Sequence, residues 1–269
     1  MVEMKQRILT GVLAAVLFLA FVIYGELLFA ILVYVMGSVA LFELLRMKKL
    51  KLFSLPGLIS LILLWLLLLP SRYHLFEDIG ISKMETALFA VLLLLIYTVL
   101  VKNNFTFDDA GFITLATIYI GMCFYYFIEI RNIDQGGLRY IFYACVVIWS
   151  TDSGAYFVGK SLGKRKLWPE ISPNKTVEGF VGGIVIALIG ATIFQFFAEV
   201  PIPYISLLFI TLFLSVFGQM GDLVESALKR HYDVKDSGKI LPGHGGILDR
   251  FDSFLFVMPF LYFLLALFS

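Results

Sequence analysis

Long apolar runs broken by short polar joints govern the chain from end to end. They fall at roughly 8–24, 27–45, 55–70, 84–101, 110–128, 140–158, 177–198, 203–222 and 251–268. Most approach the ~20 residues needed to cross a hydrocarbon core of about 30 Å. A membrane barrel would instead show alternating segments of about ten residues, and none occur. The pattern predicts an all-α fold: a polytopic integral membrane helical bundle of about nine transmembrane helices. The third run is the weakest, because Pro56 and Pro70 bracket it closely. Tyr24-Gly25-Glu26 alone separates the first two runs, which reads as a tight helical hairpin. Lys5 and Arg7 precede the first run as in a signal peptide. That run lacks a small-x-small cleavage site and leads almost directly into the second, so it reads as an anchor.

Charge then sets the direction of threading. Of the 21 Lys and Arg residues, only Arg72, Lys83, Arg131 and Arg139 fall on one set of connections. The others fall on the alternate set, and basic residues collect on cytoplasmic loops. The expected path is therefore N-in and C-out. Deleting the third run would put 160–175 and 229–239 on the side opposite the N-terminus. Composition agrees: the chain is 60% hydrophobic and 15% charged, with mean hydropathy +0.93, where a soluble domain carries about 25% charge. Its net charge of +1 says nothing about partners in bulk, and no nucleic-acid partner is expected. Cys123 and Cys145 match neither metal spacing nor a disulfide framework, so they read as packed thiols.

The two halves differ in kind. Residues 1–138 hold about five spans with few polar groups; Glu26, Glu43 and Glu129, near span ends, read as side chains reaching the interface. Asp108 and Asp109 suit capping of the following helix. Residues 139–269 hold about four spans and three polar clusters, at 151–166, 169–183 and 221–253. The threading brings all three out on one face, where four helix ends converge.

Within them, Asp222, Glu225, Ser226, Lys229 and Arg230 recur at helical spacing and share one face. That stripe is either an amphipathic helix end with i,i+4 pairs or a site. Asp222 directly follows a long apolar run, which favours a site. Pro242, Gly243, Gly245 and Gly246 then forbid helix and let backbone approach a ligand. Asp249 and Asp252 follow at i and i+3 around Arg250, as dipole partners or as ligands. Carboxylates beside a Gly-rich loop and several cations suit Mg²⁺ with phosphates: the metal takes one or two carboxylates and bridges phosphate oxygens. Asp152 lies deep in a span, where an unpaired carboxylate needs a cation, a metal or a polar cavity. Lys175 and Glu178 open the seventh span, and Gly179, Gly182 and Gly183 allow close helix approach. Lys164, Arg165 and Lys166 read as ordinary cytoplasmic basic residues facing anionic lipid. There is no Walker A loop, no zinc motif and no clear Ser–His–Asp arrangement.

The stretch SALKRHYDVKDSGKILPGHGGILDRFDS, from Ser226 to Ser253, resembles the hallmark of bacterial phosphatidate cytidylyltransferases (CDP-diacylglycerol synthases): S-x-hydrophobic-K-R, K-D, P-x-H-G-G and D-R-x-D. TDSGAYFVGKSLGK and ISPNKTVEG upstream look like the same family. The close match covers about residues 150–253; the first half fits only in hydrophobicity. The resemblance implies an inner-membrane enzyme of phospholipid biosynthesis that condenses CTP with phosphatidic acid to CDP-diacylglycerol and pyrophosphate, using Mg²⁺ or another divalent metal, with its site facing the cytoplasm. On its motif positions, and on Asp222 of the stripe just before them, we expect Asp222, Lys229, Arg230, Asp249, Asp252 and His244 to be catalytic, with Asp222, Asp249 and Asp252 on the metal. Phosphate binding falls to Lys175, Ser226, Lys229, Arg230, Lys235, Gly245, Gly246 and Arg250, with Asp152 in the same polar cavity. Homo-oligomerisation stays open. A CTP-dependent lipid kinase fits the full motif less well. A transporter would place charge near the midplane with access from both sides, and CDP-alcohol phosphotransferases need a D-G-x-x-A-R pattern that is absent.

Overall fold

The computed structural model describes residues 2–268, with the side chains of residues 2–9 and Glu77 outside the described set. The reading of Lys5 and Arg7 as inner flanking charges lies outside the described residues. Helices dominate: α1 (Val2–Tyr24), α2 (Glu26–Met47), α3 (Leu55–Leu67), α4 (Leu75–Ile79), α5 (Lys83–Leu100), α6 (Phe107–Arg131), α7 (Gly137–Leu162), α8 (Val177–Ala198), α9 (Tyr204–His231) and α10 (Leu248–Phe268). All nine expected spans fall on helices. Seven of these are long and apolar enough to cross a membrane, while α3 and the described part of α1, from Thr10, are shorter. The chain is an all-α, multi-pass membrane bundle. The hydropathy pattern did not anticipate a small antiparallel hairpin between α7 and α8, β1 (Lys166–Trp168) with β2 (Ser172–Thr176).

Local chemistry explains the boundaries. Ser82 and Thr106 open α5 and α6 through capping boxes closed by Glu85 and Asp109, so two amides at each helix start are satisfied. Asp109 also pairs with Lys48 at 3.0 Å. Arg131 donates to the carbonyls of Val22 (2.7 Å) and Ile23 (3.1 Å) at the end of α1, covering acceptors that a helix end leaves free. Glu129, read from the sequence as a side chain reaching the interface, turns inward to a protein partner. It is buried and accepts from the Ser71 amide (3.0 Å) and hydroxyl (2.5 Å), tying the α3–α4 connection to α6.

The second half packs on small residues. Gly179 and Gly183 of α8 lie so close to α7 that an added Cβ would stand 2.7 Å from the Ala155 carbonyl and 2.8 Å from that of Thr151. This is the close approach expected of membrane helices, where small residues replace a hydrophobic driving force. Polar stitches join α7 to α9: Tyr143 to Leu207 and Thr211, and Thr151 to Ser215. Helix α10 packs on both α9 and α6, and α6 on α2. Elements from both halves thus pack around α10. Cys123 and Cys145 are free thiols.

Candidate active site

Helix α9 runs unbroken for 28 residues, so the apolar span continues into the charged stripe at constant pitch. Asp222, Glu225 and Lys229, one and two turns apart, therefore face the same cavity. It measures about 470 Å³ and is also lined by Asp152 of α7, Asp249, Arg250 and Asp252 of α10, and Asp236 of the α9–α10 connection. Asp152 lies ten residues before the end of α7, about 15 Å along the helix. Its neighbours include Asp222 and Lys175, and those of Asp252 include Asp222 and Asp152. Three carboxylates from three helices thus act on one another across the cavity.

Two cations answer them in different ways. Lys175, on β2, meets Asp222 Oδ2 at 2.6 Å, and Ser226 Oγ lies 3.3 Å from Asp222 Oδ1. The hairpin and the N-cap of α8, where Thr176 Oγ1 accepts from the Gly179 amide, fix that lysine. Lys229 instead bridges two carboxylates, Glu225 Oε2 at 2.5 Å and Asp249 Oδ1 at 2.7 Å. Both acids are 4% exposed, so desolvation makes this triad depend on its geometry. Glu225 Oε1 is buried with no hydrogen-bond partner among the described residues.

A second cavity, about 460 Å³, adjoins the first across Asp152 and Asp222, and Tyr156, Asn174, Lys175, Phe180 and Gln219 help to wall it. Asp222 borders both spaces and its partner Lys175 lines the second, so the pair stands where the two meet.

Asp249 takes the first of the two settings its spacing allowed, as an acceptor of backbone amides at the helix start. Its Oδ2 accepts from the Ser237 amide, the Ser237 hydroxyl and the Gly246 amide, each at 2.8 Å, while Oδ1 takes Lys229. Both oxygens are occupied, so Asp249 is no bare ligand. The amides of Ile247 and Leu248 are also taken, by Glu43, so those of residues 246–248 face protein acceptors rather than an open phosphate cradle. Among the described residues, no group of three or more His, Cys, Asp or Glu is arranged to hold a metal ion unaided. Mg²⁺ needs no such cage, since it takes one or two carboxylates and completes its shell with water and phosphate. Asp222 and Asp252 fit that demand: Asp222 makes one ion pair and one hydroxyl contact, and Asp252 Oδ1 accepts from the next amide, Ser253, at 2.7 Å.

The cytidylyltransferase family model matches residues 5–268. This chain belongs to the cytidylyltransferase family. It is 84% identical, over the whole of both chains, to a phosphatidate cytidylyltransferase of Bacillus subtilis (strain 168). It is 47% identical over 262 residues to a phosphatidate cytidylyltransferase of Staphylococcus epidermidis (strain ATCC 12228 / FDA PCI 1200), covering 97% of this chain and 99% of that one. The likeness extends through the first half, where the sequence motifs gave no hold.

Several motif residues of this cytidylyltransferase lie off the cavity. Arg230 is exposed and its Nε points to the Ile171 carbonyl at 3.4 Å, one residue's rotation away from Lys229. Lys235 faces a separate space of about 300 Å³ with Arg46 and Lys239. A tight turn, closed by the Leu241 amide on the Gly245 carbonyl (3.0 Å), aims His244 at α1. There its Nε2 stands 2.9 Å from where a Cβ on Gly11 would lie, and Nδ1 is buried with no hydrogen-bond partner among the described residues. The His244 carbonyl accepts from Arg250 Nε at 3.0 Å. Sequence reasoning left Glu225, Asp236 and Ser237 out of the site. Glu225 was legible as part of the α9 stripe; Ser237 carried no spacing signal.

Proposed function

We propose that this chain is a CTP:phosphatidate cytidylyltransferase, joining CTP to phosphatidic acid at the cytoplasmic end of the bundle to give CDP-diacylglycerol and pyrophosphate. The observation that carries this reading is the pairing of Lys175 with Asp222 at the border of two cavities, within a chain that belongs to the cytidylyltransferase family throughout. A phosphate oxygen of the lipid attacks the α-phosphorus of CTP, the bond from that phosphorus to the bridging oxygen of the β-phosphate breaks, and pyrophosphate leaves with the electron pair. The lipid phosphate is already anionic, so the residues have little proton transfer to perform. Their task is to bring two polyanions together.

Lys175 and Lys229 serve that task. An ammonium has three N–H donors. Lys229 gives two to Glu225 and Asp249 and keeps one for a phosphate oxygen; Lys175 gives one to Asp222 and keeps two. Arg250, at the cavity edge, adds a third cation. Asp222 and Asp252, with Asp152 beside them, would hold Mg²⁺. When bound, the metal neutralises triphosphate and leaving pyrophosphate charge. Asp249 fixes Lys229 rather than the metal. The Lys/Arg bias of the connections supports an N-in path with the site on the cytoplasmic side of the inner membrane.

Label placement tests the reaction. With purified protein and phosphatidic acid, CTP labelled at the α-phosphorus must pass label to lipid, while γ-label must appear in pyrophosphate. Lipid carrying γ-label would mark a CTP-dependent kinase instead.

A further inference from the structure

We propose that Glu43, in the first half of the chain, is a positioning residue for the phosphate-handling end of the site. This rests on the cytidylyltransferase reading above. Glu43 lies near the end of α2, where the sequence suggested a side chain reaching for the interface. It is 1% exposed instead. Its Oε1 accepts from the Ile247 amide and its Oε2 from the Leu248 amide, both at 3.0 Å and both at the start of α10. Among the described residues no Lys or Arg forms an ion pair with it. The helix terminus meets its charge, since unpaired first-turn amides carry the positive end of the α10 dipole. Helix α2 thus caps α10 from more than 200 residues away.

The same carboxylate shapes the catalytic connection. A Cβ on Gly238 or on Gly246 would collide with Glu43 Oε1, so the 237–248 segment is folded around it. Ser237 Oγ stands 3.2 Å from Glu43 Oε2 and 2.8 Å from Asp249 Oδ2. Asp249 Oδ1 then holds Lys229 at 2.7 Å. The path runs from carboxylate to hydroxyl to carboxylate to ammonium, and ends at the cation that faces phosphate. A buried charge is a weak device for stability alone. Two directed amide contacts, with the Ser237 hydroxyl between the carboxylates, fix position, and a displacement of about 1 Å costs catalysis as much as 10²-fold. The fold has other support here, because Leu41, Leu44 and Leu45 of the same helix are buried in the core.

The test uses the full chain in detergent with CTP and phosphatidic acid, and measures kcat per folded molecule, KM for each substrate and the thermal midpoint. Glu43→Gln keeps the size but presents one acceptor and an N–H₂ where two oxygens accepted. It should lower kcat about 10-fold or more while each KM stays within about threefold. Glu43→Asp should recover part of the loss. Ser237→Ala cuts the same path, so the Glu43→Gln/Ser237→Ala double should fall no further than the weaker single. A wild-type kcat in Glu43→Gln overturns the proposal, as do losses that multiply in the double. If Glu43→Gln does not accumulate, Ser237→Ala carries the test, and an unchanged kcat there overturns it. An unaltered chain that fails to make CDP-lipid would overturn the cytidylyltransferase reading; an active one with a fully active Glu43→Gln removes only Glu43.

Discussion

Lys175 Nζ lies 2.6 Å from Asp222 Oδ2, although 47 residues and the whole of α8 separate them in sequence. The pair sits on the border between two cavities and joins the hairpin to α9. Removing either partner alone leaves the other without its counter-charge. Lys175→Met and Asp222→Asn should each lower kcat/KM on the order of 10²-fold, by analogy with losing one transition-state stabiliser. The double mutant should lose much less than the product of the singles, because both changes break one contact. A double-mutant cycle on purified protein measures this, and strictly multiplicative losses would separate the two roles.

Lys229 tests the triad. It pairs with two carboxylates that are 4% exposed, so Lys229→Met strands buried charge. The expected cost is about 3–5 kcal/mol of stability, read as a large fall in thermal midpoint. Arg230→Gln, one residue on but exposed, should move stability by no more than about 0.5 kcal/mol. Equal midpoints for the two variants would show that the triad contributes nothing to the fold.

Asp249 and Asp222 should part company in a Mg²⁺ titration. Asp249 accepts from Ser237, Gly246 and Lys229, so Asp249→Asn should destabilise the protein while leaving the half-saturating Mg²⁺ concentration unchanged. Asp222→Asn and Asp252→Asn should raise that concentration with little change in unfolding. A raised Mg²⁺ requirement in Asp249→Asn would return that residue to the metal.

The threading has its own check. Cysteines placed at Lys164 and Lys239 should react with an impermeant thiol reagent only from the cytoplasmic side, and one at Tyr73 only from outside. Labelling of Lys164 and Lys239 from opposite faces would make a shared site impossible.

The helices and the α9 stripe were legible because both rest on local periodicity. An apolar run of about 20 residues has few alternatives to a membrane helix, and offsets of three and four put Asp222, Glu225 and Lys229 on one face. The hairpin at 166–176 was not legible, since its strands are three and five residues long and carry little apolar signal. Spacing alone left Asp249 open: i,i+3 acids look alike whether they face a metal or the amides of Ser237 and Gly246. The direction of His244 was not legible either, because a Gly-rich turn does not announce which way its side chain points. Glu43 and Glu129 looked like interface residues because proximity to a span end says nothing about a partner far along the chain. Those residues were legible only in three dimensions.

The most direct measurement follows product formation by the purified chain with α-labelled CTP, phosphatidic acid and Mg²⁺, beside Asp222→Asn prepared in the same way. The account predicts CDP-diacylglycerol and pyrophosphate in equal amounts from the unaltered chain, and a rate lower on the order of 10²-fold in a folded Asp222→Asn. No CDP-lipid from the unaltered chain, or a full rate from Asp222→Asn, would contradict it.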